Sequence, residues 1–208
     1  MRYMLTYDLM ETVRNTNQWL GATASAMGAY PVTGLSPVPF FQILAAWGEV
    51  TERSFARMVA KPDWGIASVV GEDGRDHVVT IETEVKKPFG DLIHFKVLGR
   101  KERKRRVLLV APMSGHYATL LRSTVISLLP DCEVYITDWH NARDIPVSDG
   151  KFDVEDYTLY LAEFMRHLGH RTHVIAVCQP APLALAATAY LADEDPKAQP
   201  RSLTLIGG

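Results

Sequence analysis

The sequence is short of cysteine, with only Cys132 and Cys178 in 208 residues. Two thiols are too few for a disulfide framework, and they are badly spaced for a zinc site. Each cysteine is therefore interpreted by itself, and no metal site is expected. Cys132 stands at the entry to an apolar run, where a small buried packing residue is expected.

An excess of either charge is also lacking. The 22 basic and 24 acidic residues give a net charge of −2, so no long-range field favours nucleic acid as a partner. No apolar run reaches the 18 residues of a membrane span, and Arg2, Asp8, Glu11 and Arg14 interrupt the apolar core that a signal peptide would need. A hydrophobic fraction of 47% is typical of a globular protein. Because neither a signal peptide nor a membrane span is recognised, the protein is expected to be cytoplasmic.

Two patterns divide the chain near residue 76. Up to about residue 61 apolar side chains recur at helical spacing, and a loop with three prolines from Gly28 to Pro39 separates two expected helices. From Val78 to Leu98 the period is two, which predicts an antiparallel strand pair. The sequence therefore predicts an N-terminal helical segment over 1–76 and a sheet-containing segment over 77–208.

A basic run follows the strand pair. Six of the seven residues from Arg100 to Arg106 are Lys or Arg. Because strand-like sequence lies on both sides, we expect a solvated hairpin tip and not a binding patch for an anionic surface.

Beyond the basic run, short apolar runs alternate with helical stretches. The apolar runs cover 107–111, 133–137, 173–177 and 202–206, and the helical stretches lie near 117–129, 154–168 and 183–191. This alternation predicts a mostly parallel sheet with helices on both faces. Reactive groups belong at the carboxyl ends of such strands, where Cys178 stands.

Cys178 follows an apolar run directly and precedes a helix expected to begin near Pro180 or Pro182. The positive end of that helix would favour a thiolate. In the nucleophile elbow of α/β-hydrolases, glycine usually stands two residues before and two after the nucleophile. Here these places hold Ala176 and Pro180, and the proline departs from the usual pattern. We interpret Cys178 as the nucleophile of an α/β-hydrolase fold.

An oxyanion needs two backbone N–H donors, one from the residue after the nucleophile and one from an earlier loop. Gln179 supplies the first, and the loop from Ala111 to His116, with a tight turn at Ser114, is expected to supply the second. His116 is interpreted as a pocket or turn residue, and His140 as a possible pocket residue. Three further histidines are expected to complement a helix C-terminus: His167, His170 and His173.

Three segments closely resemble intracellular poly(3-hydroxybutyrate) depolymerases: Val-Cys-Gln-Pro-Ala-Pro at 177–182, Ala-Pro-Met-Ser-Gly-His-Tyr-Ala-Thr-Leu-Leu-Arg at 111–122, and Thr-Asp-Trp-His-Asn-Ala-Arg-Asp at 137–144. The resemblance implies hydrolysis of polyester at the surface of storage granules, through an acyl-cysteine intermediate and without a cofactor. It implies Cys178 as the nucleophile, Gln179 as one oxyanion donor, and a second donor at Met113 or Ser114. The products would be 3-hydroxybutyrate oligomers or monomer.

In that family the chain is about twice as long, and the catalytic Asp and His follow later strands. The resemblance therefore implies that this chain holds the first half of the hydrolase domain, without those two residues and with little activity alone. An unfinished sheet also predicts self-association through unpaired strand groups.

Two alternatives stay open. One is an acyltransferase similar to polyhydroxyalkanoate synthases, which share the fold but favour glycine around the cysteine. The other is a non-catalytic protein whose apolar N-terminal helices bind the polymer granule.

Overall fold

The computed structural model describes residues 2–29, 39–57, 61–71, 74–99, 105–113 and 117–208. They form two compact units, Met1–Lys61 and Pro62–Gly208. The sequence placed the boundary at residue 76, but the first strand, β1 (Ser68–Val70), pairs with β2 (Asp76–Val85) and so belongs to the second unit. A strand of three residues is too short for a recognisable period in the sequence.

The first unit consists of α1 (Arg2–Ala29) and α2 (Pro39–Arg57), the two helices expected from the helical spacing. They approach closely where Gly21 faces Gly48. A Cβ on Gly21 would lie 2.8 Å from the Gly48 carbonyl oxygen, and a Cβ on Gly48 would lie 2.6 Å from that of Gly21. Glycine is therefore required at both positions for this backbone contact. The intervening loop, 30–38, lies outside the described residues.

The second unit is built on a seven-stranded sheet in the order β1-β2-β3-β5-β4-β6-β7. The remaining strands are β3 (Gly90–Val97), β4 (Arg106–Val110), β5 (Glu133–Trp139), β6 (Thr172–Val177) and β7 (Ser202–Ile206). Strands β4 to β7 are parallel to one another, whereas β1, β2 and β3 join through antiparallel ladders. The sheet is therefore mixed, and the expectation of a mostly parallel sheet holds for its second half alone.

The expected hairpin tip at Arg100–Arg106 is wrong. The flanking strands β3 and β4 are not neighbours, because β5 lies between them and pairs with both. The basic run thus connects two strands that are not neighbours in the sheet. Residues 100–104 lie outside the described residues, and the last residue of the run, Arg106, is the first residue of β4.

Two apolar clusters cover the two faces of the sheet. Alternate residues of β4 belong to different clusters, Leu108 and Val110 to one and Val107 and Leu109 to the other, as the two-residue period of a strand requires. Helices α4 (Val154–Leu168) and α5 (Ala181–Glu194) supply the first cluster, and α3 (Arg122–Leu128) supplies the second. Helices on both faces agree with the sequence prediction.

The ends of α4 follow from its sequence. The Asp153 side chain accepts from the backbone N–H groups of Glu155 and Asp156, and the Asp156 side chain accepts from the N–H of Asp153, which is a complete capping box. At the other end Gly169 has a φ of 81° and ends the helix.

Throughout the ranges described, no helix combines the length and apolar character needed to cross a membrane.

Candidate active site at the end of strand β6

Cys178 occupies the sharp turn between β6 and α5 that the sequence predicts. Its φ is 65°, and it is the one residue other than glycine with a positive φ in the described part of the chain. Residues with a Cβ avoid this region for steric reasons, so the turn is strained. The side chain is exposed, as a nucleophile must be.

Backbone hydrogen bonds hold the turn on both sides. The Cys178 N–H donates to the Ile206 carbonyl of β7 at 2.7 Å, and the Cys178 carbonyl accepts from the Ala181 N–H at 3.0 Å. The first bond continues the β6–β7 ladder by one residue, and the second opens α5. The thiol is thus fixed at the carboxyl edge of the sheet.

The two departures from the glycine pattern are both accommodated. Ala176 is fully buried within the apolar cluster beneath α5, where a larger side chain would displace its neighbours. Pro180 has a φ of −76°, the value that its ring imposes in any case. It stands immediately before α5, where a missing N–H costs no helical hydrogen bond.

The Gln179 side chain ties the turn to the neighbouring loop. Its Oε1 accepts from the Met113 N–H at 3.1 Å. That N–H was one of the two candidates for the second oxyanion donor, and here it is engaged by Gln179. The structure therefore gives Gln179 a role that the sequence did not suggest, that of a link between the Cys178 turn and the loop that follows β4.

The start of the same loop is anchored at Ala111. Its N–H donates to Thr137 Oγ1 at 2.9 Å, and its carbonyl accepts from Trp139 Nε1 at 2.9 Å and from the Tyr157 hydroxyl at 3.3 Å. Burial raises the pKa of the Tyr157 phenol, so the group stays a protonated donor. The loop thus begins from a fixed point beside the elbow.

Gly208 is a site residue whose contact the sequence did not reveal. A Cβ there would lie 2.2 Å from the Ala181 Cβ and 3.1 Å from the Cys178 carbonyl oxygen. The chain after β7 therefore passes directly against the elbow turn, and only glycine fits. The only sign of this contact in the sequence is the pair Gly207-Gly208 directly after an apolar run.

Ser114 and His116, both proposed from the sequence, lie outside the described residues. His140 contacts the β2–β3 connection, with Nδ1 2.9 Å from the Pro88 carbonyl oxygen and Nε2 3.2 Å from an Asp91 carboxylate oxygen, so both ring nitrogens have partners.

The cluster of three histidines expected at the end of α4 is partly wrong. His167 is on the last turn of α4 and bonds Glu84 at 2.9 Å, but His173 is a residue of β6 and bonds the Ser202 hydroxyl at 2.7 Å.

Cys132 is buried, which confirms it as a packing residue. No group of three or more metal-ligating side chains comes together in the ranges that the structure describes.

No protein-family model matches the sequence, and neither does any curated protein. Among solved structures, an arylesterase is 12% identical with a TM-score of 0.43, covering 79% of this chain and 55% of its own. A hyperthermophilic esterase from the archaeon Pyrobaculum calidifontis is 11% identical with a TM-score of 0.36, covering 90% and 55%. Brefeldin A esterase, a bacterial homologue of human hormone-sensitive lipase, is 18% identical with a TM-score of 0.36, covering 83% and 50%. The chain spans about half the length of these structures.

Proposed function

We propose that Cys178 is the nucleophile of an ester hydrolase of the α/β-hydrolase type. One observation supports this most strongly, the positive φ of Cys178 on the turn between the parallel strand β6 and helix α5. Strained backbone persists where the surroundings enforce it, and such positions cluster at functional sites. A cysteine that served packing alone would be buried and unstrained, as Cys132 is.

The chemistry proceeds in two steps. The Cys178 sulfur attacks the ester carbonyl, the carbon–oxygen bond to the alcohol breaks, and the alcohol leaves with the thiol proton, so that a thioester remains on the protein. Water then attacks the thioester, releases the acid and returns the proton to the sulfur. Both transition states carry an oxyanion, which the Gln179 N–H is proposed to stabilise.

For the substrate we propose poly(3-hydroxybutyrate) in cytoplasmic storage granules, on the strength of the three segments that resemble intracellular depolymerases. The resemblance assigns no general base and no supporting carboxylate among the residues of this sequence. General-base assistance contributes roughly two to four powers of ten in rate, so slow turnover is expected here.

The test is the release of 3-hydroxybutyrate from amorphous polymer granules by the 208-residue protein. Slow release that disappears in Cys178→Ala and persists in Cys132→Ala is expected. Equal release by Cys178→Ala would overturn Cys178 as the nucleophile, and no release by the parent would overturn the polymer as a substrate of this chain.

A second candidate role is binding to the granule surface through the helical unit. Large apolar side chains of α1 and α2 are exposed, with Trp19 65% and Trp47 58% accessible. The others are Leu9, Met10, Val13, Leu20, Ile43 and Val50. A set of this size on one small unit is typical of an interaction surface, and a polyester surface is apolar.

Granule binding is tested by co-sedimentation with polymer. Trp19→Ala combined with Trp47→Ala should weaken binding several-fold, whereas Tyr190→Ala, an exposed aromatic of the other unit, should not. Unchanged co-sedimentation of the double variant contradicts this role and leaves the proposal for Cys178 intact.

A further inference from the structure

A pocket of about 480 Å³ lies at the opposite end of the parallel strands from Cys178. The pocket and the Cys178 turn are separated by the length of β6. His173, which lines the pocket, precedes Cys178 by five residues, and five residues of extended chain span roughly 16 Å. The lining residues are Arg105, Val107, Cys132, Arg171, His173 and Arg201.

The parallel sheet explains why these residues meet. Arg105, Arg171 and Arg201 each stand immediately before a strand, namely β4, β6 and β7. These three strands are consecutive neighbours in the sheet. Because parallel strands start at the same edge and lie about 4.8 Å apart, three arginines far apart in sequence line up over about 10 Å. Cys132 holds the corresponding position before β5.

The positive charge of this pocket is not balanced by the residues that the structure describes. The described lining contains no carboxylate, and none of the three guanidinium groups makes an ion pair with another described residue. All three arginines are exposed, so their donors face the pocket mouth or solvent. Neighbouring cations repel one another, and a bound anion would relieve that repulsion.

The floor of the pocket is apolar and rigid. Val107 and Cys132 are 5% and 7% exposed and belong to the core cluster beneath α3. His173 is held by its hydrogen bond to the Ser202 hydroxyl. A preformed apolar floor rimmed by a few polar groups is the usual construction of a small-molecule site.

We infer that this basic pocket binds a small molecule carrying a diphosphate group. Guanidinium groups match the oxygens of phosphate in paired hydrogen bonds, and a row of three that extends over about 10 Å is longer than a single phosphate ion. The pocket is also larger than one phosphate ion. The inference is independent of the reaction proposed for Cys178.

The experiment is calorimetric titration of the 208-residue protein with inorganic pyrophosphate at low ionic strength. We expect saturable binding of one pyrophosphate per chain, at least tenfold tighter than that of orthophosphate. ADP serves as a second ligand: tighter binding of ADP assigns the site to a nucleotide, and binding of pyrophosphate alone assigns it to the free ion. Absence of saturation by roughly 1 mM pyrophosphate would overturn the inference.

Variants locate the binding. Arg171→Gln and Arg201→Gln should each weaken pyrophosphate binding about tenfold, because each removes a charged hydrogen-bond donor. Arg143→Gln, which removes the same charge from another surface of this unit, should leave affinity unchanged. Arg201→Glu should weaken binding further while its urea unfolding midpoint stays at the parent value. Equal loss in Arg143→Gln and Arg201→Gln would show a non-specific charge effect and reject the pocket.

Discussion

At the scale of single residues, Cys178 holds a backbone conformation that costs an amino acid with a Cβ about 1–2 kcal/mol relative to the ordinary helical region. Glycine adopts it without that cost. The sequence could place the thiol on the turn, because an apolar run ends there and prolines follow. It could not show the sign of φ, which depends on the hydrogen bonds to Ile206 and Ala181.

The strain can be measured by substitution. Cys178→Gly should be more stable than Cys178→Ala by about 1 kcal/mol, because glycine alone relaxes at a φ of 65°. Urea unfolding followed by circular dichroism measures both variants. If the alanine variant is equal or more stable, the turn is not strained, and the main structural support for a nucleophile elbow is lost.

Gln179 is a positioning residue in this account, since its side chain acts on Met113 and not on the ester. Gln179→Ala should slow acylation of Cys178 by p-nitrophenyl acetate up to about tenfold, the effect of one lost hydrogen bond between the Cys178 turn and the loop that follows β4. Alkylation of Cys178 by iodoacetamide, which forms no oxyanion, should be unaffected.

Gln179→Glu keeps an acceptor for the Met113 N–H and should restore most of the acylation rate. A parallel loss of acylation and alkylation in Gln179→Ala would indicate a general disturbance of the turn. The sequence predicted the backbone role of Gln179 but not this one, because a side-chain contact across 66 residues leaves no local pattern.

At the scale of elements, the termini of α4 are fixed by short-range chemistry, which is why the predicted range of 154–168 agrees with the structure. The strands β4 to β7 were recognisable for a similar reason, since each is a short apolar run bounded by polar or turn residues. Partners in the sheet were not recognisable. Strand β5 inserts between β3 and β4. The local sequence does not show this long-range pairing, and the basic run was therefore wrongly predicted to be the tip of a hairpin.

The capping box of α4 should make stability depend on pH. The side-chain hydrogen bond from Lys151, followed by that from the Asp156 N–H, lowers the pKa of Asp153 below its ordinary 3.8. A lowered pKa in the folded state stabilises the protein above the ordinary value, and this contribution is lost as the pH falls through the lowered one.

Asp153→Asn should therefore be less stable than the parent at pH 7, and the difference should shrink as the pH is lowered below 3.8. Urea midpoints at several pH values measure it. Asp149→Asn, at a nearby exposed carboxylate outside the capping box, serves as the matched control. A difference between parent and Asp153→Asn that is constant with pH would contradict the charged cap.

At the scale of the whole molecule, β7 ends the sheet in the described part of the chain, and its side chains are open. Leu205 and Ile206, on opposite faces of β7, are 41% and 49% exposed, whereas Leu109 and Val110 of the central strand β4 are fully buried. An exposed apolar edge strand is a template for pairing with another chain. Self-association therefore stays a prediction of this account.

Sedimentation velocity over a range of protein concentrations tests it. The parent should form dimers or larger species, and Leu205→Lys should reduce them several-fold because a charge on an edge strand opposes pairing. Val147→Lys, at a side chain that is 95% exposed, is the matched control and should behave as the parent. A parent that sediments as a monomer at every concentration would contradict association through β7.

The architecture of the whole molecule was predictable in kind but not in detail. Alternation after residue 107 predicted a layered α/β sheet, which is present. The sequence also predicted two segments divided at residue 76, whereas the two compact units divide between Lys61 and Pro62. The mixed character of the sheet depends on β3 running against β5, a pairing about forty residues apart in sequence. The row of arginines before β4, β6 and β7 likewise becomes a pocket through strand order alone.

The account rests on Cys178 as an acyl-accepting nucleophile, and mass spectrometry of the intact protein after exposure to p-nitrophenyl 3-hydroxybutyrate tests this most directly. The account predicts one 3-hydroxybutyryl adduct, mapped by peptide digestion to Cys178, present in Cys132→Ala and absent from Cys178→Ala. An adduct that persists in Cys178→Ala, or a parent protein that gains none, would contradict it.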